Sequence, residues 1–253
     1  MKVGAVLDSF GLEIIDCMDA AASLGMRGIQ APLGHRDIDP DTMTETAIAD
    51  FLSQCEARGI AVVSGCFYVD GGFEPDYVER NVARTVKLLE LGKKLGGSIV
   101  TGHIGMVPKD EKAPAWASIA EGVTAVEAAA ADLEVLFGVE TGPVAPPLLR
   151  RFLDATAGEM TRVNYDPANL VAMGFDPVAG VRDLAPYIGG MHAKDAIKGK
   201  GEVPLGKGEV PWKEFVNALR TEAGFDGWYI IEREGGADRV DDIRQAKELL
   251  EAL

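Results

Sequence analysis

The sequence predicts an α/β protein, a single (β/α)₈ TIM barrel with residues 1–253 forming one domain. Three observations predict it. Short apolar runs alternate with longer amphipathic stretches along the whole chain. A glycine recurs where a stretch gives way to the next run. The alternation has eight units, and eight in 253 residues is the size of a closed parallel barrel. A doubly wound open sheet would show a G-x-G-x-x-G turn after its first strand, where this chain reads LDSFGLE.

The elements follow in order. Strand one is expected near 2–8, from the run Val3 to Leu7 that meets Asp8, and is followed by a helix near 11–24. Gly25 ends that helix and RGIQAP supplies strand two, near 27–31. A helix near 43–58 ends at Gly59, before IAVVSGC as strand three near 60–66. In the helix near 76–95, Val78, Val82, Val86 and Leu89 recur at three and four, with Glu79, Arg80 and Lys87 opposite. Gly96 and Gly97 then precede SIVTGH, strand four near 98–103. Helices near 115–131, 146–157 and 177–185 lead to VLFGVET, RVNYDP and YIGGMHAKD, giving strands five to seven near 135–140, 161–166 and 188–193. Pro211 opens a helix near 212–223, where its missing N–H is harmless. Gly224 precedes WYIIE, strand eight near 228–232, and a helix near 238–252 closes the chain. Each glycine sits where the left-handed conformation caps a helix.

Composition excludes several classes. The formal charge of −15 argues against duplex nucleic acid, which is held by Lys and Arg on phosphates, and against anionic membranes. No run approaches the roughly 18 apolar residues of a membrane span. Cys17, Cys55 and Cys66 are odd in number and contain no CxxC pair, so a reducing, cytoplasmic setting is expected.

Barrel enzymes gather their chemistry at the C-terminal ends of the strands. The polar residues there are, in order, Asp8, Gln30, Cys66, His103, Glu140, Asp166, His192 and Glu232. The last four come from consecutive strands and form one arc. A charge at the end of a buried strand is costly unless it meets a partner or a metal. Three carboxylates and one imidazole make an oxygen-rich site suited to one divalent ion such as Mn²⁺, Mg²⁺ or Co²⁺. The alternative, four unrelated ion pairs capping strands, needs a coincidence at four successive strand ends.

Other candidates surround this arc. His103 and Asn169 are candidate substrate-binding residues, although Asn169 could equally be a helix cap. Alternation turns Lys194 the same way as His192 and Asp195 the other way, which makes Lys194 a site candidate and Asp195 a supporting one. The Gly/Lys-rich segment 198–210 reads as a solvated loop or as a lid whose Lys198, Lys200 or Lys207 meets an anionic substrate. His35 is expected at the rim, and Cys66 in packing.

The motifs FGVET, NYDPANL, MHAKDA and GKGEVPW with GFDGWYIIERE resemble the xylose isomerase-like barrel superfamily, in particular its sugar (phosphate) isomerase/epimerase branch of D-tagatose 3-epimerase-like and hydroxypyruvate isomerase-like enzymes. The resemblance spans the chain and is strongest from about residue 135. It implies a single divalent metal on Glu140, Asp166, His192 and Glu232. The two glutamates then form the acid–base pair of a proton transfer next to the carbonyl of a small carbohydrate-like substrate, through a metal-stabilised enediolate. It also implies a substrate role for His103 and a homo-oligomer, dimer or tetramer. The branch holds an inosose dehydratase-like lyase as the first alternative reaction; an AP endonuclease-like nuclease and a non-enzymatic sugar-binding barrel follow. Two departures stand out: TGPVAPP replaces the polar stretch usual after the strand-five glutamate, and Lys198 replaces an arginine beyond the strand-seven histidine.

Overall fold

The computed structural model describes residues 1–253. It begins with β1 (Lys2–Val6), a 3₁₀ turn (Leu7–Phe10) and α1 (Ile14–Ser23). Next come β2 (Gly28–Pro32), α2 (Glu45–Ala57), β3 (Ala61–Cys66), α3 (Val78–Lys94), β4 (Ile99–Gly102) and α4 (Pro114–Leu133). Then follow β5 (Leu136–Glu140), α5 (Pro146–Thr156), β6 (Thr161–Tyr165), α6 (Pro167–Met173), α7 (Pro177–Leu184) and β7 (Ile188–Ala193). The chain ends with β8 (Asp195–Ile197), β9 (Gly201–Val203), α8 (Trp212–Thr221), β10 (Trp228–Ile231) and α9 (Arg239–Glu251).

Eight strands close a parallel barrel in the order β1-β10-β7-β6-β5-β4-β3-β2, while β8 and β9 form a separate antiparallel pair. The eight expected strands and the barrel are therefore present. No helix is long and apolar enough to cross a membrane. One continuous apolar core joins the barrel interior to the inner faces of the surrounding helices, for example Val139 and Ile231 from strands with Phe152, Leu219 and Ile243 from helices.

The helix caps follow the glycine pattern. Gly25 adopts φ of 72°, its N–H bonds Ala22 O at 2.9 Å, and Met26 N–H bonds Ala21 O at 3.1 Å. These are the paired bonds of a Schellman ending. Three helices depart: at the end of α4 Glu134, not a glycine, takes the left-handed turn at φ of 52°, and α5 and α7 end at Ala157 and Ala185 with no left-handed residue.

Four expectations need correction. The fully buried line of α3 runs through Asn81, Thr85, Leu88 and Leu89, with Val78, Val82 and Val86 half-buried beside it. The reason is polar: the Asn81 amide turns inward to donate to the carbonyls of Asp70 and Gly72. Pro211 is the cap of α8 and does not open its first turn. Helix α6 was not foreseen, because seven residues are too few to show a helical period. Its signal was nonetheless present, since Asp166 caps it and Pro167 opens it. The β8–β9 pair replaces the first part of what read as a loop over 198–210.

Candidate metal centre

Each member of the arc is delivered by a strand end. Glu140 is the last residue of β5, His192 lies within β7, and Glu232 follows β10. Asp166 follows β6 and does two things at once. Its Oδ1 accepts the N–H groups of Ala168 at 2.8 Å and Asn169 at 3.2 Å, which anchors α6, while its Oδ2 is buried with no hydrogen-bond partner. Thr141 fixes the same residue, accepting from Asp166 N–H at 2.8 Å and donating to Asp166 O at 2.9 Å.

One ligand atom from each of Glu140, Asp166, His192 and Glu232 lies within 4.8 Å of all the others. Opposite ligands of a cation bound at about 2.0–2.6 Å lie roughly 4–5 Å apart, so the spacing fits a divalent ion with little movement. Asp166 Oδ2, buried without a hydrogen-bond partner, is one atom such an ion would satisfy, and Glu232 Oε2, which faces only His192 and Lys194, is another. Three oxygens and one nitrogen suit Mn²⁺, Mg²⁺ or a similar cation.

The imidazole is held from both sides. Nδ1 of His192 faces Glu140 Oε1 at 3.2 Å and Glu232 Oε2 at 3.3 Å, and Nε2 meets Gln30 Oε1 at 2.7 Å. Gln30 Nε2 donates to Gly65 O at 3.4 Å, which turns its oxygen toward the histidine. Nε2 therefore carries a proton, and Nδ1 is the nitrogen that can bind a cation.

Charges follow from this crowding. Burial pushes Glu232 up, but the His192 charge and then Lys194 overcome it, so it stays well below the usual carboxylate range. Glu140 is likewise lifted by burial and brought below its ordinary value by His192 and His103. Burial would lower His192, yet Glu232 and Glu140 hold it well above the ordinary histidine value. Asp166 goes the other way: burial, with repulsion from Glu232 and Glu140 and only partial relief from Lys194, raises it to about 7. Lys194 keeps its charge despite burial because Asp166, Glu232 and Glu234 surround it, the latter two at 3.1 and 2.7 Å.

The cluster sits in a cavity of about 810 Å³, whose wall also carries His103, Asn169 and Lys194. His103 Nε2 is 3.8 Å from Glu140 Oε2. Asn169 Nδ2 donates to Thr141 O at 3.0 Å and reaches Glu140 Oε1 at 3.4 Å. Cys66 and His35 also line the wall, His35 bonded to Asp8 at 2.6 Å. Lys198 does not line it; its ammonium packs over Gly174, next to Met173 of the wall. Asp195 turns away from the cluster, as alternation requires. Its two oxygens accept four backbone N–H groups, from Ala196, Gly206, Gly208 and Val210, and the indole N–H of Trp212. The loop over 204–210 is tied to that carboxylate.

Sequence reasoning did not assign Gln30 a partner, nor foresee the ion pairs of Arg233 with Glu202 and Asp242 that hold the segment after Glu232. Gln30 had been visible as a polar residue at the end of a buried strand, whereas Glu202 has no local signal because its partner is far along the chain.

The molecule is an eight-stranded parallel barrel with a carboxylate–imidazole cluster at the C-terminal ends of its strands. The chain belongs to the xylose isomerase-like TIM barrel family, whose sequence profile matches residues 18–253. A comparison with curated protein sequences found no match. Among solved structures, a xylose isomerase domain protein from Planctomyces limnophilus is 25% identical with a TM-score of 0.84, covering 99% of this chain and 95% of that one. A probable 3-DHS dehydratase involved in petrobactin synthesis from Bacillus anthracis is 18% identical with a TM-score of 0.79, covering 99% of each chain. The 3-keto-D-glucoside 4-epimerase of E. coli is 15% identical with a TM-score of 0.80, covering 100% of each.

Proposed function

We propose that this protein is a metal-dependent isomerase or epimerase that moves a proton next to the carbonyl of a small carbohydrate-like substrate. The observation that carries the reading is the convergence of Glu140, Asp166, His192 and Glu232 within 4.8 Å, with Asp166 Oδ2 buried and without a hydrogen-bond partner, at the wall of a cavity large enough to admit a sugar. In this reading the four residues hold one divalent ion, Mn²⁺, Mg²⁺ or Co²⁺. When bound, such an ion polarises the substrate carbonyl and offsets the charge that develops as the neighbouring C–H is lost.

The chain's own residues supply the rest. Glu140 and Glu232 both rest as carboxylates; one accepts the substrate proton and hands it back to the neighbouring carbon, or, for delivery to the opposite face, the other glutamate first takes up a proton from solvent and gives that one to the substrate. Lys194 keeps Glu232 ionised until it takes up the proton. His103 and the Asn169 amide orient substrate hydroxyls from the β4 and β6 sides of the wall. Gln30 holds His192 in the tautomer that leaves Nδ1 free to ligate.

The test is deuterium entry next to the carbonyl of small ketoses and keto acids in D₂O, with and without EDTA. EDTA-sensitive entry with conserved product mass supports the reading; metal-independent turnover sinks it. A product lighter by one water would favour the dehydratase reading, which the Bacillus anthracis neighbour's description motivates.

The ligand assignment makes its own prediction. At pH 7 the metal-free site holds a proton on His192 and a part share of one on Asp166, and both ligate only without it. Binding of Mn²⁺ at pH 7 is therefore expected to release about one to two protons and to weaken steadily below pH 7. Calorimetry in two buffers of different ionisation enthalpy reads the number directly, and a value near zero would remove His192 from the ligand set.

A further inference from the structure

We propose that Arg239 is an anion subsite in the same cavity, so that the substrate carries an acidic group, a carboxylate or phosphate, in addition to its reacting carbonyl. The inference rests on the carbohydrate-isomerase reading for the location of the reacting end, and on an independent charge census for the rest.

Arginine normally finds a partner in this chain. Twelve of the thirteen arginines make a hydrogen bond or ion pair with another residue. Arg239 makes none, in a protein with 40 carboxylate side chains, and it is the arginine that faces the cavity unengaged. The acidic groups of the cavity wall are already taken. Asp8 is held by His35 and Arg36, Glu140 and Glu232 face His192, and Glu234 is bonded by Lys194. Arg233, next to Glu232, is fully engaged by Glu202 and Asp242. One cation on the wall is left without a counter-charge.

Its side chain is also seated. The guanidinium lies against the backbone of Gly11, where a Cβ would come within 2.9 Å of Arg239 Cζ and Nε. Gly11 has φ of 70° and closes the 3₁₀ turn after β1, so the lack of a side chain there leaves the space the guanidinium uses. Arg239 opens α9 just beyond β10, while His103 and Asn169 come from the β4–β6 side of the ring. A ligand with its carbonyl at the carboxylate cluster and an acidic far end can thus be held between the two. A planar fork of N–H donors suits carboxylate and phosphate oxygens. At a net charge of −15 the protein repels anions as a whole, so a local unpaired guanidinium is what an acidic substrate would require.

The test titrates the Mn²⁺-loaded protein calorimetrically with neutral D-fructose, with 5-keto-D-gluconate and with D-fructose 6-phosphate. At least one acidic probe is expected to bind about tenfold or more tightly than D-fructose, and the preferred one tells carboxylate from phosphate. In Arg239→Gln that acid-to-neutral ratio collapses toward one, and Arg239→Lys restores part of it. Added NaCl shrinks the ratio in the wild type and not in Arg239→Gln. Circular dichroism confirms that both variants are folded. Equal affinities across the panel, no binding of either acid, or an unchanged ratio in Arg239→Gln would each overturn the subsite. Deuterium exchange is scored separately: an Arg239-dependent preference without exchange keeps the subsite and ends the isomerase reading, and exchange without that preference does the reverse.

Discussion

Glu232→Gln is expected to lower metal-dependent deuterium exchange by about 10³-fold or more at saturating Mn²⁺, with Glu140→Gln giving a loss of similar size. The amide keeps the shape of the side chain but has no ionised oxygen to take up a proton. The two losses differ in one respect. Glu232 is also the partner of Lys194 at 3.1 Å, so the glutamine variant leaves that buried ammonium on Asp166 and Glu234. Glu140 has no lysine partner and faces His103 and His192. Folding stability should therefore fall more in Glu232→Gln than in Glu140→Gln. Thermal denaturation separates that effect from chemistry, because exchange measured well below the transition reports only the loss of the proton carrier. Near wild-type exchange in either variant, with metal shown to be bound, would remove that glutamate from the acid–base pair.

Asp166→Asn is expected to move the metal-free and metal-loaded proteins in opposite directions. The amide oxygen can still accept from the N–H groups of Ala168 and Asn169, so the cap of α6 survives. What disappears is a buried carboxylate whose folded-state value is raised from 3.8 to about 7. A raised acid is the unfavourable sign: between those two values the folded state keeps a proton that the unfolded chain gives up. The metal-free wild type therefore loses stability as pH rises across that window, and the cost levels off above it. The asparagine variant escapes the cost, so without metal it should be the more stable protein at pH 8, by on the order of 4 kcal/mol, with the difference fading as pH falls to 4 and below. Adding Mn²⁺ should reverse the ranking, since the wild type gains a ligand that the amide supplies poorly. Melting curves at pH 4 and pH 8, with and without metal, check all four corners. A metal-free variant less stable than wild type at pH 8 would contradict the burial argument.

The repeating scaffold could be read from the chain because each of its signals is local. A run such as IAVVSGC and the glycine before it describe a strand and a helix end without reference to anything distant, and the same holds for Glu140, Asp166, His192 and Glu232 at the ends of their runs. What escaped was whatever depends on two distant segments meeting. Gln30 and His192 are 162 residues apart, and Asn81 faces a loop whose path no periodicity reveals. A Gly/Lys-rich segment after a barrel strand suggests a lid, but nothing local shows that Lys198 sits in the turn of a short hairpin and not in the cavity wall. Arg239 carries no local signal either, since an arginine at a helix start is unremarkable unless the other charges on the wall already have partners.

The way Asp195 gathers the 204–210 segment has a consequence for how this barrel can diversify. Four of the five groups that bind its carboxylate are main-chain N–H, which every residue except proline possesses. The course of the segment is therefore written largely in Asp195, Trp212 and two close-fitting glycines, Gly206 and Gly208, with Leu205 and Val210 seated in the core. Lys207, exposed between the two glycines, can be exchanged without moving the backbone that carries it, whereas Glu209 also accepts from the Lys198 N–H at 3.0 Å. A protein built this way can vary one patch of its upper surface by drift, or accept designed side chains there, while the strand that bears His192 keeps its place.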